Sequence, residues 1–264
     1  MTSAAPPDGS RVLASTTSHK CESLQKTLEV FGRLGLRDVD LNLHHLIEGG
    51  LPVPVVTAAL QTAEVRVLVA SGGWCDFFHD GIQAAETERS VAHQVTIAKE
   101  LGARFLRLFF GRLEAADYST KYLEIICRNL RRLSDRFPDM LFVFENHDGA
   151  SLRPEICREV LERVDRSNVR MNFDPINFER AGVNSLEALR AVLPLVSHVH
   201  LKGLERGEFC EFGAGDVDLR PLMRWLLGQG YRGRFTVEYE GRFDGTLRLY
   251  QSVQRARQEL RIEN

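Results

Sequence analysis

The chain has 264 residues, 44% hydrophobic and 27% charged, with a formal net charge of −2 and a pI near 6.5. That balance gives no electrostatic reason to expect nucleic acid or an anionic membrane as a partner, and no apolar run approaches the ~18 to 20 residues of a membrane helix. Five cysteines, at 21, 75, 127, 157 and 210, lack the CxxC spacing of zinc or redox motifs, so reduced, mostly buried thiols in a cytoplasmic protein are expected.

Residues 1–10 are small, polar and proline-containing, without a cationic start or apolar segment, and read as a disordered tail rather than a secretory signal. From Arg11 onward short apolar runs alternate with amphipathic stretches, and no linker rich in Pro, Gly or Ser interrupts them. The periodicity predicts strands at 12–15, 38–43, 65–70, 105–110, 142–144, 169–173, 196–201 and from 235. It predicts helices at 23–34, 54–62, 86–101, 120–137, 154–164, 186–193, 219–227 and 246–260. Strict alternation calls for a parallel sheet with helices outside, and eight such units in ~250 residues is the size of a (β/α)8 TIM barrel. A single-domain α/β barrel over 11–264 is therefore expected. An open doubly wound sheet usually carries a glycine-rich phosphate turn after its first strand, and Ser15-Thr16-Thr17-Ser18-His19 is not one.

In such a barrel, ligands bind at the C-terminal ends of the strands. Four successive strands end on Glu145, Asp174, His200 and Glu238, one each. Alternation puts Val143, Glu145 and His147 on one face of their strand, and His198, His200 and Lys202 on one face of theirs. Each residue alone has a plain explanation: a capping carboxylate, or a hydrogen-bonded histidine. Together, three carboxylates without a cation would repel one another. Three oxygen donors and an imidazole suit one divalent ion, Mn²⁺ first, with Mg²⁺, Co²⁺ or Zn²⁺ as alternatives.

Glu145-Asn146-His147, Asp174 with Asn177, His198-Val199-His200-Leu201-Lys202, Gly213-Ala214-Gly215-Asp216-Val217-Asp218 and Gly230-Tyr231-Arg232-Gly233 leading to Glu238 resemble the xylose isomerase-like TIM barrels. This superfamily holds sugar isomerases and epimerases, dehydratases, lyases and endonuclease IV. The resemblance spans nearly the whole chain and is strongest over 140–241. It implies that Glu145, Asp174, His200 and Glu238 bind one metal ion, and that Glu145 and Glu238 also carry the proton, as in ketose 3-epimerases. The extra ligands of the three-zinc endonuclease site are not found here. Many epimerases carry a glutamate near the end of strand two, where this chain has Asp40, Asn42, His44 and His45. The usual Lys-Asp after strand seven is Lys202-Gly203.

Two activities follow. In an isomerase or epimerase, metal-assisted proton removal beside a carbonyl gives an enediolate that is reprotonated. In a lyase, the same enediolate expels a β-leaving group. The resemblance extends here to 3-dehydroshikimate dehydratases and to C-glycoside deglycosidases acting on 3-oxo-glycosides. His147 is the candidate acid or base for that elimination.

Trp74, Phe77, Phe78, Phe109 and Phe110 offer stacking surface or core. His44, Trp74, Arg112, Lys202 and Arg206 are the candidate substrate contacts, with Lys202 read either as an oxyanion partner or as a surface lysine. Glu211 is a candidate lid group, and Asp216 and Asp218 are expected to cap the helix from Leu219. The expected partner is a small carbohydrate or glycoside bound by an oligomer. A small second subunit is implied in the deglycosidase case.

Overall fold

Buried apolar runs and amphipathic stretches alternate through the computed structural model, which describes residues 11–19, 22–241 and 245–261. The tail expected over 1–10, and Cys21, lie outside those residues. The strands are β1 (Val12–Ser15), β2 (Asp38–Asn42), β3 (Arg66–Ser71), β4 (Phe105–Phe109), β5 (Leu141–Glu145), β6 (Val169–Phe173), β7 (Val196–Leu201), β8 (Gly203–Glu205), β9 (Glu208–Cys210) and β10 (Arg234–Val237). The helices are α1 (Leu24–Arg33), α2 (His44–Ile47), α3 (Val53–Ala63), α4 (Gly81–Glu100), α5 (Thr120–Arg136), α6 (Pro154–Val164), α7 (Pro175–Arg180), α8 (Ser185–Val192), α9 (Arg220–Gly228) and α10 (Gly245–Arg261).

Strands β1, β10, β7, β6, β5, β4, β3 and β2 follow one another around a closed barrel, the single-domain α/β TIM barrel expected. Contacts among the described residues are densest within two halves, those of 11–68 with those of 198–261, and 69–197.

In the half spanning 69–197, β4, β5 and β6 run parallel, with Phe109 beside Glu145 and Glu145 beside Asn172. Period-two alternation puts Arg107 and Phe109 on the face shared with Glu145, while Phe142 and Phe144 take the opposite face. The loop after β5 turns at Gly149, whose φ of +53° favours glycine. A Cβ there would also lie 2.2 Å from the Leu113 carbonyl oxygen.

In the other half, β10 pairs in parallel with β7, setting Thr236 beside His200 and Val237 beside Leu201. β1 pairs with β2, setting Ser15 beside Asp40. These ladders aim Ser15, Asp40, His198, His200 and Thr236 at one another, and all five are buried.

Besides the short helix α2, three features depart from the expected elements. The third long helix starts at Gly81 rather than 86, entered from Asp80 through a residue with φ +59°. A short helix, α7, follows directly on Asp174, with Pro175 at its start. A hairpin, β8–β9, stands where a plain loop was read after β7. It turns on Arg206 and Gly207, both with positive φ.

Candidate metal centre

Glu145 closes β5 and is 2% exposed. Its Oε1 accepts from Asn177 Nδ2 at 3.1 Å, and its Oε2 lies 3.3 Å from Arg107 Nε. Asn177 also donates to the Asn146 carbonyl at 2.9 Å. Asn146 clasps the next strand end in both directions, donating to the Asp174 carbonyl and accepting from the Asp174 amide, each at 2.8 Å. Asp174 caps α7, with Oδ1 accepting from the amides of Ile176 (2.9 Å) and Asn177 (3.0 Å). Asp174 is therefore a helix cap, a role that immobilises a carboxylate aimed at a strand end.

In the half that carries β7 and β10, Glu238 extends the β10 ladder by donating its amide to the Leu201 carbonyl at 3.0 Å. Its Oε1 accepts from Ser15 Oγ at 3.5 Å, and its Oε2 from Lys202 Nζ at 3.5 Å. Lys202 is 1% exposed, which removes the reading of it as a surface lysine. Its ammonium donates to Glu240 at 2.9 Å and sits 4.3 Å from the centre of the Phe209 ring, a desolvated cation–π contact. His200 Nδ1 is 3.7 Å from Glu238 Oε2, and His200 Nε2 is 3.4 Å from Asp40 Oδ2.

Glu145, Asp174, His200 and Glu238 are all buried, and one ligand atom from each lies within 4.8 Å of the others. Hard carboxylate oxygens with one imidazole nitrogen are the donor set that divalent ions such as Mg²⁺, Mn²⁺ or Zn²⁺ accept. A buried carboxylate needs a cation or donors to stay ionised; Arg107 lies beside Glu145 and Lys202 beside Glu238. The donor set therefore fits one divalent ion, which these four residues would hold. Such an ion would supply Lewis-acid polarisation of a carbonyl and its neighbouring hydroxyl.

A flat wall stands beside Glu145. Trp74 stacks on Phe109 with ring centres 4.2 Å apart. The Arg112 guanidinium lies 4.1 Å from the centre of the Trp74 ring, and that of Arg107 lies 4.4 Å from the centre of Phe109. Each of the two stacked rings thus carries a guanidinium group, and that of Arg107 also pairs with Glu145. His147 packs edge-on against both rings, at 5.2 Å from Trp74 and 4.9 Å from Phe109. Its Nδ1 is 3.2 Å from Asp148. Its amide is fixed by Ser151 Oγ at 2.9 Å, a hydroxyl that also accepts from the Asp148 amide.

Arg107 was missed in the sequence, although a charge at the centre of the apolar run Phe105-Leu106-Arg107-Leu108-Phe109 was the available signal. Of the five aromatics read as stacking surface or core, Phe77 and Phe110 take the second role. Both pack on Phe144, on the face of β5 away from Glu145, and are core. Phe78 packs on His79 and Tyr122.

His44 pairs with Glu48 along α2, Nδ1 to Oε2 at 2.7 Å, with its side chain 43% exposed. Arg206 occupies the exposed hairpin turn, where its amide donates to Asp216 Oδ2 at 2.7 Å. Asp216 therefore braces the hairpin instead of capping α9, whereas Asp218 accepts from the Arg220 amide at 3.0 Å. Glu211 is tied to Arg248. Burial pushes the Cys75 thiol up to about 11 and the Cys157 thiol up to about 12, so both are protonated at neutral pH and poorly suited to nucleophilic catalysis.

A closed α/β barrel with three carboxylates and a histidine converging at its strand ends defines a class of metal-site barrels. Within that class the chain belongs to the xylose isomerase-like TIM barrel family, which it matches over residues 44–262. It is 23% identical over 214 residues to an inosose dehydratase of Clostridium perfringens, covering 68% of this chain and 72% of that protein. The 3-keto-D-glucoside 4-epimerase YcjR from E. coli superposes with a TM-score of 0.75 at 16% identity, covering 94% of this chain and 99% of that one. A xylose isomerase-like TIM barrel protein from Mycobacterium smegmatis in complex with magnesium gives a TM-score of 0.75 at 17% identity, covering 94% and 96%. Among the described residues, no helix is long and apolar enough to cross a membrane.

Proposed function

We propose that this chain is a divalent-metal-dependent isomerase or epimerase of a keto-sugar or related polyol, with Mn²⁺ as the first candidate ion. The observation that carries the reading is the buried set of Glu145, Asp174, His200 and Glu238, whose ligand atoms lie within 4.8 Å of one another. Bound there, the ion would acidify the C–H beside a chelated carbonyl and stabilise the enediolate.

The chain's own residues do the rest. Asp174 is fixed by its capping bonds at the start of α7, and with His200, buried 3.4 Å from Asp40, it would hold the ion and so place the reacting carbonyl. Glu145 and Glu238 accept and return the carbon-bound proton, each step of this kind being worth ~10²- to 10⁴-fold. Lys202, beside Glu238, steadies the developing oxyanion. The wall of Trp74 and Arg112 orders the substrate's far end. In this reading His44 and Arg206 are outer substrate contacts.

A second reading is a β-eliminating lyase of the dehydratase or C-glycoside deglycosidase type, which in the latter case would call for a small partner subunit. It is favoured by the inosose dehydratase likeness and by His147, which its Ser151 and aromatic contacts hold two residues beyond Glu145. His147 would then protonate the leaving group.

The test is product identity in D₂O with Mn²⁺-loaded protein given keto-sugars, an inosose and a 3-oxo-glycoside. Deuterium entering an intact, isomerised sugar supports the first reading. Loss of water or release of an aglycone supports the second. No turnover of any carbonyl substrate, with the ion bound, would sink both.

A further inference from the structure

Three asparagines neighbour Glu145 or Asp174 in the chain or in the sheet, and they divide in two. Asn146 and Asn177 spend their side-chain amides on the protein. Asn146 bonds both backbone groups of Asp174, and Asn177 donates to Glu145 and to the Asn146 carbonyl. Asn172 lies in register beside Glu145 and is 0% exposed. Neither its Nδ2 nor its Oδ1 has a hydrogen-bond partner among the described residues. The run Val169-Arg170-Met171-Asn172-Phe173-Asp174 alternates apolar with polar residues, and Phe173 packs on Phe178 of α7. Arg170, Asn172 and Asp174 therefore take the other face. Register neighbours on parallel strands share a face and stand ~4.8 Å apart, so Asn172 points to the side of Glu145.

Native chains rarely leave a buried amide with neither end bonded, because both ends lose water and gain nothing. An apolar side chain would fill the same place without that cost, so this amide calls for a ligand that the protein does not itself provide. A carboxamide is a donor at one end and an acceptor at the other. A bare cation answers only its oxygen, and an anion only its nitrogen. An oxygen that carries both a proton and a lone pair, in water or in a sugar hydroxyl, answers both. We infer that Asn172 is a further residue of the metal centre, holding a water or a sugar hydroxyl that is bound to the ion. This part for Asn172 rests on the metal reading. It differs from that of the four ligating residues, because Asn172 meets the ion through an intervening oxygen and so orients what the ion binds.

The test begins with the wild-type protein crystallised with Mn²⁺, alone and with ribitol, a polyol that has no carbonyl to react. An oxygen bound to the ion is expected within ~3 Å of the Asn172 amide. A water in both crystals assigns Asn172 to the ion's own water, and a ribitol hydroxyl in its place assigns it to the substrate; either supports the inference. In Asn172→Leu, which keeps the number of side-chain heavy atoms, Mn²⁺ affinity by calorimetry is expected to fall about ten- to hundredfold. Mn²⁺ bound at the four residues, with the Asn172 amide bonded only to protein or to a water that does not touch the ion, overturns the inference and leaves the metal reading standing. An Asn172→Leu variant with unchanged affinity does the same. Absence of Mn²⁺ from the four residues in the wild type overturns the metal reading and the part of Asn172 with it. Should Asn172→Leu not fold, the wild-type crystals alone decide.

Discussion

Arg107 Nε lies 3.3 Å from Glu145 Oε2, and both side chains are almost fully enclosed. Arg107 also donates to Ser71 Oγ at 3.2 Å, so the guanidinium cannot follow the carboxylate if it moves. Removing one partner of a buried pair leaves an uncompensated charge, at a cost of ~3 to 5 kcal/mol. Arg107→Met should therefore lower the Tm of the metal-free protein by about 10 °C. Bound Mn²⁺ supplies the missing positive charge and should recover at least half of that. Thermal melts with and without Mn²⁺ measure both quantities. Equal losses in the two conditions would show that Arg107 matters for packing alone.

Removal of the ion should abolish turnover and lower stability together. An ion present at ~100 times its Kd contributes ~2.7 kcal/mol to the folded state, which is ~5 to 10 °C in Tm for a chain of this size. Glu145→Gln and His200→Ala should each lose bound Mn²⁺ and at least 10² in kcat. Metal analysis beside the assays checks this. Either variant keeping full metal content and activity would remove its residue from the site.

The barrel was legible because buried parallel strands read as apolar runs, and the polar residue that ends each run stands out. The same rule shows why other features were hidden. Arg107 is one charge inside an apolar strand, and only the register beside β5 places it at Glu145. Phe77 and Phe110 have the composition of a binding wall, but composition does not tell which face of β5 they meet. The hairpin at Gly203–Cys210 is too short for a period to emerge. Lys202 shared the face of His200 by alternation, whereas its burial depends on Phe209 from that unforeseen hairpin.

Trp74 stacks on Phe109 and carries the Arg112 guanidinium 4.1 Å from its ring centre, so the indole works as a seat for the guanidinium. A guanidinium held flat by an aromatic ring has fewer orientations to lose when it meets a substrate oxygen. Trp74→Ala and Arg112→Ala should each raise KM by up to about tenfold, with kcat within about twofold. The double variant should be no worse than the poorer single, because both remove one device. Additive effects on log KM would mean that the two residues contact substrate separately.

His45 gives the fold a dependence on pH that is separable from the metal site. It is 5% exposed, and burial, followed by the charge of neighbouring His44, holds its pKa below the ordinary histidine value. The fold therefore resists a proton that the unfolded chain accepts near pH 6.5. Its contribution is fully present above the unfolded pKa and is lost as pH falls below it. Urea midpoints of the metal-free protein should drop between pH 7.5 and 5.5, and His45→Gln should drop less over the same interval. Working without metal keeps protonation of the ligands from adding a metal-release term. A variant with the same pH slope as the wild type would place the titrating group elsewhere.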